Sequence, residues 1–185
     1  MADEPPSVVL RTARLILRRW CPADRAPFAA LNADPAVMAW LPSTLTTAES
    51  DALADAIEAN ITGRGFGLWA LEIPGVTPFA GFVGLSVPSF TAPFTPCVEI
   101  GWRLATAHWG HGYATEAARA VLVHAWDVVG LDDVVSFTTV GNVRSRAVME
   151  RLGMRHAPAD DFEHPRLPPE HPLRPHVLYR IDRPR

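Results

Sequence analysis

Residues 108–117 constrain the fold more than any other stretch, because two glycines stand one residue apart directly before a strongly periodic helix. Their sequence is His-Trp-Gly-His-Gly-Tyr-Ala-Thr-Glu-Ala. Closely spaced glycines let the backbone fold back with its N–H groups converging, and a helix start adds unpaired N–H groups and a positive dipole end at the same point. The pattern predicts an anion-binding loop suited to a diphosphate.

A strand is predicted immediately before this loop, at residues 97–104, where Glu99 places a carboxylate among apolar residues. Strand, phosphate loop and helix together are typical of several nucleotide-binding classes. A Walker loop is excluded because it needs a lysine, and all 17 basic side chains here are arginine. A dinucleotide-binding fingerprint is disfavoured, since Thr115 stands where its third glycine belongs and no run of parallel strand and helix repeats surrounds it. A tight turn without a ligand remains the alternative.

A second strand-to-helix turn is predicted at residues 134–154. Residues 134–140 have the composition of a buried strand, Asn142 is a favoured helix N-cap, and Gly153 is well placed to end that helix. Ser145 shares the inner face of the helix with three apolar side chains, Val148, Met149 and Leu152. Polar groups are therefore expected at the mouth of this turn as well.

Composition indicates one enzyme-sized domain. The chain has 185 residues, is 48% hydrophobic and 20% charged, and can bury a full core. Two cysteines make no disulfide framework, and no apolar run approaches the length of a membrane span, so we expect a cytoplasmic protein with no membrane partner. A net charge of −3 argues against a general nucleic-acid binder. The acidic, proline-containing residues 1–8 are expected to form a loose tail before a single domain at residues 9–185.

The remaining pattern predicts a mixed α/β domain with a twisted, largely antiparallel sheet and helices on both faces. Helices are expected from Pro22 to about Asn32, after a cap at Thr46 or Thr47, and from Tyr113 to Val129. Pro74 and Gly75 mark a turn between two strands. The other predicted strands, in chain order, are residues 14–20, 67–73, 79–87 and 176–181.

Four stretches of the chain resemble the GNAT acetyltransferases, and within them the RimJ/RimL-like branch, which acetylates N-terminal and other amino groups. These stretches are residues 10–18, 99–102, 109–117 and 142–154. The resemblance implies a sheet that splits between its fourth and fifth strands, here the Glu99 strand and the strand at residues 134–140. It also implies that acetyl-CoA enters this split as co-substrate, with no metal.

The resemblance assigns the cofactor contacts to specific residues. The diphosphate is expected on the backbone N–H groups of Trp109, Gly110, His111, Gly112, Tyr113, Ala114 and Thr115. The pantetheine arm is expected along the backbone of Trp102, Arg103 and Leu104. Asn142 and Ser145 complete the predicted set on the opposite side of the split.

Glu99 is the predicted general base, because it occupies the position where many family members place a catalytic glutamate, and its apolar neighbours favour a raised pKa. The alternative is a glutamate that only orients a partner or a water molecule. Many relatives use a tyrosine seven residues after the asparagine as the acid, whereas this chain has Met149 there. Ser145 is then the candidate donor to the leaving thiolate, and its alternative role is a capping hydroxyl that bonds local backbone.

Two functions of different class remain at this stage. The first is an acetyl-CoA-dependent N-acetyltransferase whose acceptor, a protein N-terminus or a small-molecule amine, attacks directly in a ternary complex. The second is a catalytically inactive domain that binds an acyl-CoA as a sensor or interaction module. The chain is expected to be a monomer or a homodimer. The histidine-rich loop at residues 160–176 is predicted to shape the acceptor site rather than to bind a metal.

Overall fold

The computed structural model describes residues 8–184. Its helices are bounded as follows: α1 Arg25–Ala33, α2 Pro35–Met38, α3 Thr47–Arg64, α4 Tyr113–His124 and α5 Val143–Arg151. Its strands are β1 Val8–Arg11, β2 Ile16–Arg18, β3 Leu68–Ile73, β4 Thr77–Ser86, β5 Glu99–Leu104, β6 Asp133–Thr139, β7 Arg155–His156, β8 Phe162–Glu163 and β9 Pro175–Asp182. Short 3-10 turns lie at Pro22–Asp24, Thr106–His108 and Pro158–Asp160.

The strands form one sheet in the order β1-β2-β3-β4-β5-β6-β9-β7, with β8 also paired to β9. Every pairing is antiparallel except that of β5 with β6. The parallel pair is joined at a single register position, Glu99 opposite Val135, and the two strands diverge beyond it. The predicted fold class, a largely antiparallel sheet split at this pair, is confirmed.

Helix α4 covers one face of the sheet. Six alanine and aliphatic side chains recur at helical spacing from Ala114 to Ala125, and all are buried except Ala114, which is partly buried. A wider helical turn at Ala125–Val129 continues it to the predicted end. The helix that follows the glycine loop is therefore held against the sheet by its apolar face.

Helices α1 to α3 cover the opposite face. Helix α3 begins with a capping box, in which the Thr46 N–H donates to the Glu49 carboxylate and the Glu49 N–H donates to the Thr46 hydroxyl. Phe28 of α1 is fully buried against the sheet. Arg18 of β2 forms a two-pronged buried ion pair with Asp24, which fixes the start of α1.

Some short strands were not predicted from the sequence. The first predicted strand is confined to Ile16–Arg18, and β1, β7 and β8 were not predicted. Two-residue strands such as β7 and β8 carry too little periodicity to be recognised, and they form because β9 offers them an edge. The tail predicted for residues 1–8 falls on residues 1–7, which lie outside the described part, and on Val8, which begins β1. Within residues 8–184, no helix is long and apolar enough to cross a membrane.

Candidate active site

The divergence of β5 from β6 opens a cleft of about 1420 Å³. That volume exceeds the range of ordinary small-molecule pockets, so it leaves room for a nucleotide-sized ligand and a second substrate. All of the predicted site residues line it except His111, whose ring stacks on Tyr113 beside the loop. The lining members are Glu99, Trp102, Arg103, Leu104, Trp109, Gly110, Gly112, Tyr113, Ala114, Thr115, Asn142 and Ser145.

One end of the cleft carries a run of free backbone donors. Gly110 and Gly112 both have a φ of 80°, a left-handed conformation that glycine adopts without strain. The first helical hydrogen bond runs from the Glu116 N–H to the Gly112 carbonyl. In the described part of the chain, no protein group accepts from the six N–H groups of residues 110–115. Six adjacent donors at a helix start form a strong site for an anion.

The loop is tied to the N-terminal strands through Glu116. The Glu116 carboxylate accepts hydrogen bonds from the Thr12 hydroxyl at 2.6 Å, the Arg14 N–H at 3.0 Å and the Arg14 side chain at 2.7 Å. Arg14 also donates to the His111 carbonyl and lies over the Tyr113 ring. Burial alone would raise the pKa of Glu116, but these hydrogen bonds outweigh it and lower that pKa.

In the sequence, Thr12 and Arg14 counted only as part of the family resemblance, and their hydrogen bonds to Glu116 were not predicted. A signal was present, since a carboxylate in the first turn of an anion-binding helix repels the anion unless a cation lies beside it. Arg14 thus adds a cation, half exposed, beside the donor run.

Glu99 lies at the closed end of the cleft, where β5 and β6 still pair. Its carboxylate accepts a hydrogen bond from the Ser86 hydroxyl at 3.2 Å, and none of the described basic residues lies within ion-pair distance. Burial raises the pKa of Glu99 to about 8, and the Ser86 hydrogen bond offsets only part of that effect. A carboxyl group with this pKa can exchange a proton near neutral pH.

Asn142 and Ser145 form the opposite wall. The Asn142 side chain accepts from the Ser145 N–H at 3.3 Å and donates to the Thr138 hydroxyl at 2.9 Å, so it caps α5 and ties it to β6. The Ser145 hydroxyl makes no hydrogen bond to any described residue, which leaves it available to a ligand. Met149 is 1% exposed and packs in the core. It therefore offers nothing to the cleft.

Two contacts bridge the cleft. The Arg144 guanidinium of α5 lies 4.5 Å from the ring centre of Trp109, whose indole N–H donates to the Leu104 carbonyl. Nearer α2, the Trp40 ring lies so close to Gly141 that a Cβ there would come within 2.7 Å of it. The cleft remains continuous, because residues of α2 and of the loop with the free N–H groups line the same cavity.

The loop at residues 160–176 does not line the cleft, so the prediction that it shapes the acceptor site directly is wrong. Three of its four carboxylates form ion pairs, Asp160 with Arg180, Asp161 with His156 and Glu163 with Arg174. Its rings pack behind Phe137, which does line the cleft. The packed rings are Phe162, His164 and His176, and burial lowers the pKa of both imidazoles. Among the residues described, no three His, Cys, Asp or Glu side chains come together as metal ligands.

A mixed sheet that splits beside a glycine loop and a helix start is the architecture of GNAT acetyltransferases. The chain belongs to this family: the family profile described as "Acetyltransferase (GNAT) domain" matches residues 14–155. GNAT acetyltransferases use acetyl-CoA.

Individual relatives agree with this assignment. The chain is similar to the uncharacterized protein YkkB of Bacillus subtilis, with 32% identity over 149 residues, 80% of this chain and 86% of that protein. It is also similar to the FsC-acetyl coenzyme A-N(2)-transacetylase of Aspergillus fumigatus, with 32% identity over 154 residues, 80% of this chain and 65% of the Aspergillus protein. An acetyltransferase structure from Agrobacterium tumefaciens superposes with a TM-score of 0.74 at 28% identity, and covers 94% of each chain.

Proposed function

We propose that the protein transfers the acetyl group of acetyl-CoA to a primary amine, by direct attack in a ternary complex. The observation that carries this proposal is the pairing, in one cleft, of six free N–H donors at one end with the proton-exchanging Glu99 at the other. The Aspergillus relative, whose name describes an acetyl-CoA-dependent transfer to nitrogen, supports the same chemistry.

The residues present suit acetyl-CoA. A Cβ at Gly110 would meet no atom within 4 Å, and the N–H groups of residues 110–115 have no acceptor among the described residues. The diphosphate would lie on these donors beside Arg14, and the pantetheine arm along the unpaired edge of β5 at Trp102 and Arg103. Bound there, acetyl-CoA supplies a thioester whose carbonyl carbon an amine can attack.

The chain's own groups then manage the protons. Glu99 accepts the proton that the attacking amine loses as the new C–N bond forms. The Ser145 hydroxyl, which makes no hydrogen bond to a described residue, can donate a hydrogen bond to the sulfur as the C–S bond breaks and CoA leaves as a thiolate. The roles of Glu99 and Ser145 are exercised only when acetyl-CoA and the amine are bound, so rate measurements test them.

Membership of the RimJ/RimL-like branch is part of this proposal. The hydrogen bonds from Thr12 and Arg14 to Glu116 support this membership. They join two of the stretches on which the resemblance rests, residues 10–18 and 109–117. A structure of RimJ from Mycobacterium smegmatis shares the fold at 22% identity, with a TM-score of 0.72.

Acetyl-CoA binding tests the placement of the diphosphate. Replacing Gly112 with leucine forces a strained φ and places a side chain where the diphosphate would approach the loop N–H groups. Calorimetry should therefore show acetyl-CoA affinity reduced at least tenfold. The matched control is Gly130→Leu, which imposes the same strain at a φ of 78° far from the cleft. Equal affinities in the two variants would refute the placement.

Turnover tests the reaction itself. Release of free thiol from acetyl-CoA in the presence of a panel of primary amines is expected only with a suitable acceptor, and mass spectrometry should show the acetylated amine. Tight acetyl-CoA binding with no thiol release from any amine would instead identify an inactive acyl-CoA sensor.

A further inference from the structure

Arg103 is a partly buried cation without a carboxylate partner in the described chain. No Asp or Glu of residues 8–184 lies within 4 Å of its guanidinium, whereas the fully buried Arg18 is paired with both Asp24 and Glu72. Its partners are the Asn32 side-chain oxygen at 2.6 Å and the face of the Phe82 ring at 5.3 Å. Burial lowers the pKa of Arg103 to about 10, which still leaves it charged at neutral pH. The described residues therefore supply no counter-ion for this charge, and a ligand can do so.

The unpaired side of Arg103 faces the cleft. Arg103 lines the cleft, and its remaining guanidinium N–H groups have no acceptor among residues 8–184. They are not sealed in the core either, since they are absent from the fully buried polar atoms without partners. These donors are therefore positioned for a ligand.

Arg103 also shares a face of β5 with Glu99. Side chains alternate along a strand, so residues 99, 101 and 103 point to one face, where Asn32 of α1 meets Arg103. Opposite them on β4 lie Ser86, Gly84 and Phe82, in register. Gly101 has open space where a side chain would stand, which leaves a slot between the carboxyl group and the guanidinium.

No other charged side chain on this side of the cleft balances Arg103. The other cations that line the cleft belong to the loop end and to α4 and α5: Arg14, Arg119, Arg144 and Arg151. Glu99 is itself largely protonated at pH 7. The acceptor side is thus cationic overall, which disfavours a second ammonium group on the acceptor.

Building on the proposed acetyl transfer, we propose that the acceptor is an amine that also carries an oxyanion, with its amine at Glu99 and its anionic group on Arg103. A carboxylate suits a guanidinium held by one edge, since the free edge can donate two parallel hydrogen bonds. Four residues of extended strand place the two Cα atoms about 13 Å apart, and inward-leaning side chains shorten the gap. An amine and an anion separated by several bonds match this spacing better than an α-amino acid.

Three acceptors with the same five-carbon chain test this directly: 5-aminopentanoate, pentylamine and 1,5-diaminopentane. The kcat/KM of thiol release should be highest for the acid, by about 10- to 100-fold over pentylamine, and lowest for the diamine. Shorter and longer ω-amino acids then measure the preferred spacing. Equal values for acid and neutral amine, or a preference for the diamine, would overturn the proposal.

Two variants attribute the preference to Arg103. Arg103→Met removes the cation, and Asn32→Asp places a carboxylate on the guanidinium within the protein without changing its shape. Both should bring the ratio of acid to neutral amine close to one, even if Arg103→Met also weakens folding. Arg144→Met removes a cation from the opposite wall of the cleft and should leave the ratio unchanged. A ratio that survives in both Arg103→Met and Asn32→Asp refutes the assignment.

Two further measurements separate the possible outcomes. Peptides with glutamate or glutamine at their second residue show whether the oxyanion belongs to a peptide side chain or to a free amino acid. If no amine releases thiol, the proposed transfer fails, and calorimetry with CoA-bound protein then tests Arg103 alone. Binding of 5-aminopentanoate to the wild type but not to Arg103→Met would uphold the anion site, and its absence in both would reject it.

Discussion

Replacing Glu99 with glutamine should stabilise the protein at alkaline pH and leave it almost unchanged at acidic pH. In the unfolded chain this carboxyl group ionises near pH 4.5, whereas in the folded protein it keeps its proton up to pH about 8. Unfolding between these pH values releases a proton. The contribution of Glu99 to the free energy of unfolding is therefore fully present below pH 4.5, falls as the pH rises to about 8, and is constant above that.

The size of the effect follows from the same two pKa values. A difference of about 3.5 units corresponds to at most about 5 kcal/mol, and water in the cleft reduces it to about 2–4 kcal/mol. Glutamine keeps the shape and carries no charge, so this penalty disappears in the variant. For a domain of this size, Tm at pH 9 should rise by about 5–15 °C relative to the wild type.

Thermal unfolding followed by circular dichroism at pH 5, 7 and 9 measures this difference. Glu170→Gln is the control, because Glu170 is exposed and its substitution should give the same small change at each pH. A Glu99→Gln variant that is equally or less stable than the wild type at pH 9 would show that the carboxyl group is well solvated in the fold. The argument for a raised pKa would then be lost.

Two further predictions concern activity and cofactor binding. Glu99→Gln should lower the rate of acetyl transfer mainly around pH 8, where Glu99 ionises while the amine still carries its proton, and much less at high pH, where the amine deprotonates unaided. Ser145→Ala should lower the rate by a similar factor at every pH. A pH-rate profile distinguishes the two patterns, and a uniform loss in Glu99→Gln would leave that residue an orienting role. Glu116→Gln weakens the hold of Thr12 and Arg14 on the glycine loop and should weaken acetyl-CoA binding about 3- to 10-fold by calorimetry. Unchanged affinity there would mean that the loop holds its shape without the tie.

Local pattern predicted most of the elements that carry the site. The glycine loop before α4, the Asn142 cap of α5 and the turn at Pro74 and Gly75 are formed by neighbours in sequence, and all three were predicted. The apolar stripe of α4 likewise follows from its helical period. Short strands such as β7 and β8 were missed, because they exist only as partners of β9.

The loop at residues 160–176 shows why a charge pattern alone misleads. Its carboxylates and imidazoles resemble an amine-binding surface in the sequence, yet three of its four carboxylates find an arginine or histidine partner nearby in space. The pairing depends on where β9 runs, which no local pattern records.

The sequence by itself determined the glycine loop, the Asn142 cap and the long helix, because these signals act over a few residues, and its resemblance to the GNAT acetyltransferases implied the split sheet. The tertiary structure alone decided which charges are compensated. Glu116 meets Arg14 across about a hundred residues, while Arg103 meets only an amide and an aromatic ring. Burial and pairing are properties of the packed chain, and they set both the pKa of Glu99 and the open guanidinium edge of Arg103, since the desolvation of a group depends on everything packed around it.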